Sequence, residues 1–220
     1  MPLQGGGMEI KMNINIYERY PQLEGCREQI EKTLELMKET YDRGGKLLLC
    51  GNGGSCADCD HIVGELMKGF MERRPLSDKI CTAMREKLGG DAEYLIDNLQ
   101  MGIPAISLAA HSGVMTAFAN DVDPDLIYAQ MVLGYAKTED MVIGISTSGN
   151  SKNVIHALRC AAALGVCTVG LTGSGECGMD GLCDAVIHVP ECETYKVQEY
   201  HLPVYHYLCA ELERYTTEKA

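Results

Sequence analysis

Five short apolar runs, separated by stretches of helical periodicity, constrain this chain more than any other feature. They span 46–50, 105–110, 141–145, 166–171 and 185–189. Runs of this length, apolar at nearly every position, read as strands buried on both faces. Alternation with helices makes the sheet parallel and covers it on both sides. The expected fold class is α/β: a three-layer sandwich built on a five-stranded parallel sheet. Binding sites in such sheets lie beyond the carboxyl ends of the strands.

Two loops occupy that position. Gly51-Asn52-Gly53-Gly54-Ser55 follows the first apolar run, and Ser146-Thr147-Ser148-Gly149-Asn150-Ser151 follows the third. Each precedes a helical stretch. Amides at a helix N-terminus lack intrahelical partners and sit at the positive end of the helix dipole, so they favour an anion. One such loop is a weak signal. Two, both rich in small hydroxyl residues, point to a phosphorylated small molecule.

The formal net charge of −12 argues against broad attraction to nucleic acid or to anionic membranes, which require basic patches. No apolar run approaches the length of a membrane span. Eleven cysteines, an odd number scattered through apolar runs, do not form a disulfide framework. The expected compartment is the reducing cytoplasm, where buried cysteine acts as a small hydrophobe.

Residues 1–13, opening with Met1-Pro2-Leu3-Gln4-Gly5-Gly6-Gly7, read as a mobile tail, and 14–220 as one domain. Apolar residues then step by three or four from Ile14 to Arg43, a helical pattern that Pro21 is placed to split or kink. Residues 73–103 interrupt the strand–helix rhythm. They read as an insertion of two short helices, 78–88 and 91–99, joined by Gly89-Gly90, lying on the surface or capping the site.

His61 and Glu65 stand four residues apart on one helical face. They suit a divalent metal, but on these residues alone an ordinary surface pair is the better reading. In the last helix Gln198 and His206 share a face, and His206 also reads as a satisfied core histidine. Pro203 is expected to interrupt that helix. Cys56-Ala57-Asp58-Cys59 has redox-like spacing at a helix start, but no second pair completes a zinc site, so packing explains it better. His111 and Ser112 open a helix and either cap it or touch substrate. His156 and His188 read as surface or edge residues, and Glu211, Glu213 and Glu218 as a solvated face.

Taken together, Gly51–Glu65, Pro104–Asp121, Ile143–Ser151 and Gln198–His206 resemble the SIS (sugar isomerase) family, and within it the phosphoheptose isomerase branch. The resemblance covers the chain from about Ile14 onward, apart from the insertion at about 73–103. It implies a flavodoxin-like strand order. It implies that Ser55, Ser146, Thr147, Ser148 and Ser151 hold a sugar phosphate, with Asn52, Gly53, Asn120, Asp121 and Gln198 along the sugar. His61, Glu65, Gln198 and His206 match positions that bind zinc, one per subunit, in some members. Glu65 and His206 match the catalytic acid/base pair.

The implied reaction is aldose–ketose isomerisation of sedoheptulose 7-phosphate to D-glycero-D-manno-heptose 7-phosphate through an enediol. A carboxylate and an imidazole suit that proton transfer near neutral pH. The resemblance also implies a homotetramer. Two alternatives stand beside this: an isomerase of another sugar phosphate, or a non-catalytic SIS protein of the sugar-phosphate-sensing or replication-initiator-binding kind. Tyr195 and Lys196 depart from the family, which often has a small residue and then Arg before the Gln of the last helix.

Overall fold

A computed structural model describes residues 15–219 of the 220-residue chain. The tail expected over 1–13 lies outside the described residues. The elements run α1 (Ile16–Arg19), α2 (Arg27–Asp42), β1 (Leu47–Gly51), α3 (Gly54–Met67), α4 (Asp78–Leu88), α5 (Ala92–Asn98), β2 (Ala105–Ser107), α6 (Ser112–Asp121), α7 (Ile127–Tyr135), β3 (Met141–Ile145), α8 (Lys152–Ala163), β4 (Cys167–Thr172), β5 (Ala185–His188) and α9 (Thr194–Lys219).

The five strands form one parallel sheet in the order β2-β1-β3-β4-β5. This is the flavodoxin-like order. Leu47 faces Met141 and Gly51 faces Ile145 in register across β1 and β3. The chain leaves β1 toward β2 on one side and returns to β3 on the other. The crevice between β1 and β3 is therefore the point where such sheets bind ligands.

Side-chain alternation divides the core in two. Leu47 and Leu49 pack with Met141, Ile143 and Ile145 beneath α2, α3 and α9. Leu48, Cys50 and Val142 face the other way, against α7 and α8. β1 and β3 are buried at every position.

One expected break and three departures mark the elements. The N-terminal helical pattern is broken at Pro21, which begins a 3-10 turn over Pro21–Cys26 between α1 and α2. The run at 105–110 is strand only as far as Ser107, then a 3-10 turn over Leu108–Ala110. Pro203 does not end α9, which passes through it with the ring buried. Glu211 and Glu213 are buried rather than solvated. Glu213 accepts hydrogen bonds from the Phe70, Met71 and Glu72 amides at 2.8, 2.6 and 3.1 Å. Arg74, also buried, lies 3.5 Å from its carboxylate. A buried carboxylate survives only with such partners.

The insertion forms the two expected helices. α4 has no buried residue and α5 buries only Ala92. Arg85 and Glu93 pair between the two helices at 2.8 Å.

Candidate active site

The two loops emerge side by side from the carboxyl ends of β1 and β3. Gly53 and Gly149 hold φ angles of 54° and 63°, in the left-handed region that glycine adopts without steric cost. In the second loop Ser146 Oγ lies 2.9 Å from Ser151 Oγ and 3.5 Å from Ser148 Oγ. Ser148 Oγ also accepts from the Asn150 amide at 3.2 Å. Ser55 and Ser146 are almost fully buried, so their hydroxyls are held by the fold rather than by solvent. Thr147, next to Ser146 in the chain, is half-buried.

A reciprocal amide pair ties the loops together. Asn52 Nδ2 donates to Asn153 Oδ1 at 2.8 Å, and Asn153 Nδ2 donates to Asn52 Oδ1 at 2.9 Å. Tyr128, buried on α7, donates to the Gly51 carbonyl at 2.6 Å. Gln198 of α9 closes over the first loop: a methyl group added at Gly54 would lie 2.2 Å from its Nε2.

Beside these loops α3 and α9 bring their polar side chains together. His61 Nε2 lies 3.0 Å from Glu65 Oε1, and the His61 and His206 rings are 5.0 Å apart, edge to face. Phe70 covers His206 at 5.5 Å. Burial and the neighbouring His61 lower the His206 pKa, while the Glu65 charge raises it. His206 is thus biased toward neutral imidazole. Glu65 Oε2 and His206 Nε2 are buried without a hydrogen-bond partner. Buried polar atoms without partners are uncommon and call for an explanation, a catalytic role or a bound ion among them.

Tyr205 positions this group. Its hydroxyl lies 3.0 Å from His61 Nδ1 and donates to Asp58 Oδ1 at 3.3 Å. Burial, then the Asp58 charge and hydrogen bond, hold the phenol above its ordinary pKa, so it stays protonated. If the phenol donates to His61 Nδ1, Nε2–H donates to Glu65; if it donates to Asp58, His61 Nδ1–H donates to the phenol oxygen. In that second case the His61 Nε2 lone pair faces Glu65, an arrangement that a shared cation satisfies.

Two imidazoles, a carboxylate and an amide oxygen make a donor set suited to zinc. The orphaned Glu65 and His206 atoms fit that use. His61, Glu65 and His206 do not close into a tight ligand shell. Among the described residues, the one group of His, Cys, Asp and Glu with ligand atoms all within 4.8 Å is Cys177, Asp180 and His188.

Other expectations fall differently. Asn120 and Asp121 close α6, exposed, and hydrogen-bond each other at 2.8 Å. Neither hydrogen-bonds to the serine loops among the described residues. Asp125, four residues on, lies 3.4 Å from Lys152 at the start of α8. Cys56 and Cys59 are both free. Burial raises both thiols rather than lowering them, so no reactive thiolate forms there. His111 stacks on Tyr135 at 5.4 Å and makes no side-chain cap to α6. Tyr195 is exposed, and Lys196 donates to Glu193 at 2.6 Å. Sequence reasoning missed Asp58, Tyr205, Phe70, Tyr128 and Asn153, whose partners lie far along the chain.

Two SIS-domain models match, over residues 18–95 and 105–207. The phosphoheptose isomerase of Aliarcobacter butzleri is 36% identical over 187 residues, 85% of each chain. That of Aneurinibacillus thermoaerophilus is 35% identical over 204 residues, 93% of this chain and 90% of its own. The chain belongs to the SIS-domain family. Within the family, its likeness is to proteins named phosphoheptose isomerase. The solved phosphoheptose isomerase of Neisseria gonorrhoeae superposes with a TM-score of 0.66 at 26% identity, covering 90% of this chain and 97% of the other. The SIS-domain matches fall on both sides of the gap between residues 95 and 105 and include both serine loops. No described helix is long and apolar enough to cross a membrane.

Proposed function

We propose that this protein is an intramolecular oxidoreductase that converts sedoheptulose 7-phosphate to D-glycero-D-manno-heptose 7-phosphate. The carrying observation is that His61 lies against both Glu65 and His206, whose Oε2 and Nε2 are buried without a hydrogen-bond partner, on the helix that follows the first of two tied loops. The relatives named above support the choice of reaction and of a heptose phosphate.

Ser55, Ser146, Thr147, Ser148 and Ser151, with the first-turn amides of α3 and α8, hold the phosphoryl group. Both helices are long enough to present a developed dipole. Gln198, Asn52 and Gly53 line the sugar, with Asn120 and Asp121 assigned to its distal end. Glu65 takes the proton from C1 of the ketose and returns it to C2. His206, biased to neutral imidazole, moves the hydroxyl proton from O1 to O2. Phe70 and the body of α9 limit water at the enediol. A zinc ion, one per subunit, would be held by His61, Glu65, Gln198 and His206. When bound, it supplies Lewis-acid polarisation of the C1–C2 oxygens.

The reading extends to a homotetramer in the cytoplasm, with no nucleic acid or membrane partner. Exposed apolar residues on and just after α6 and on α7, including Val122 at 63% and Leu133 at 58%, support a subunit interface there.

Replacing Glu65 by Gln tests the assignment. It should cut kcat by roughly 10²- to 10⁴-fold, the usual worth of a positioned general base. Sugar-phosphate binding, read by calorimetry, should persist. Full turnover in that variant eliminates Glu65 as the base.

A further inference from the structure

The segment between β4 and β5 carries a second cluster that the isomerase site does not use. Cys177 Sγ, an Asp180 carboxylate oxygen and a His188 ring nitrogen all lie within 4.8 Å of one another. His188, on the edge strand β5, is more than the ordinary edge residue its sequence position suggests.

The hydrogen bonds around His188 are unusual. Nδ1 lies 2.8 Å from the Gly173 carbonyl, and Nε2 lies 2.8 Å from Asp180 Oδ1. Both partners accept hydrogen bonds and donate none. The ring must therefore carry two protons, or aim a bare Nε2 lone pair toward the carboxylate with a cation between them. The second state, with Nδ1–H held by a backbone carbonyl, is how metal-binding histidines are oriented. Asp180 is oriented too: its Oδ2 accepts from the Cys177 amide at 2.8 Å. An ion pair alone does not tie the Cys177 thiol, which hydrogen-bonds to Asp180, to His188. A cation does, because thiolate, imidazole and carboxylate together suit a zinc-class ion. The His188 and Asp180 side chains are 30% and 41% exposed, which leaves a fourth position open to water.

The cluster adjoins the phosphate loop. A methyl group at Gly149 would meet Cys177 Sγ at 2.3 Å, and Asn150 Oδ1 accepts from the Gly178 amide at 2.9 Å. We propose that Cys177, Asp180 and His188 form a zinc-class cation site, separate from Glu65 and His206, that staples the 173–184 segment against the Ser146–Ser151 loop.

Cobalt(II) is the probe, because of the two candidate cation sites this one alone offers sulfur; His61, Glu65, Gln198 and His206 offer none. Metal-stripped full-length protein is titrated with cobalt(II) and followed by absorption. A thiolate-to-cobalt charge-transfer band is expected in the near ultraviolet. It should be kept in His206→Ala and lost in Cys177→Ser. His188→Ala and Asp180→Asn should each weaken the cobalt affinity read at that band at least tenfold. Zinc should also raise the unfolding midpoint of His206→Ala, but not of the Cys177→Ser/His206→Ala double variant. The Asp180→Asn titration decides the matter if a cysteine variant does not fold. Absence of the band at saturating cobalt overturns the proposal. So does a band that survives Cys177→Ser, or an affinity unchanged by Asp180→Asn.

Discussion

Glu65 comes from α3 and His206 from α9, so their meeting is made by the packing of two helices across one face of the sheet. Each histidine and carboxylate could be picked out along the chain; the placing of His61 against both Glu65 and His206 could not. The supporting contacts are longer-range still. Asn52 and Asn153 are 101 residues apart, and Asp58 and Tyr205 are 147 apart. An asparagine two positions past a serine loop carries no local mark of that role. Its contribution can be measured. Asn153→Ala removes both amide hydrogen bonds between the loops, each worth about 0.5–1.5 kcal/mol net and less where exposed. KM for the sugar phosphate should rise about 2- to 10-fold, with kcat changed less. An unchanged KM would show that the loops hold their spacing without the pair.

The strands were legible because each is a short apolar run with turn residues on both sides, and the sheet buries both of its faces. Where the reading slipped, a nonlocal partner decided the outcome. Leu108–Ala110 is as apolar as a strand, yet it lies past the last paired residue of the sheet edge and coils into a 3-10 turn. Glu213 looks solvated in sequence, and only the amides at 70–72 and Arg74 justify its burial.

α9 holds a further consequence. His201 is fully buried, and burial lowers its pKa from 6.5 to about 4. The folded state therefore binds its proton less readily than the unfolded chain does. The stability this represents is present above about pH 6.5 and lost as pH falls toward 4. It amounts to roughly 3 kcal/mol at most. Urea unfolding between pH 7 and pH 4.5 should show this loss, and His201→Gln should flatten it. Equal slopes for the two proteins would contradict the assignment.

Assembly concerns the molecule as a whole. Val114 on α6 and Val122 just after it, with Leu133 and Tyr135 on α7, expose apolar surface that neither core cluster covers. A stable interface needs roughly 800 Å² from each partner. Sedimentation at micromolar concentration should give a four-chain species, and Leu133→Glu should dissociate it. A monomer in the unmodified protein would exclude the tetramer. Strand order reverses between β1 and β3, the two loops and Gln198 meet there, and the proposed site adds Glu65 and His206 to them. The most direct test of that convergence is an NMR time course with sedoheptulose 7-phosphate in deuterated water. The account predicts deuterium at C2 of the aldose product, at a rate that collapses in Glu65→Gln. No product from this sugar, with solvent exchange from a hexose phosphate instead, would contradict it.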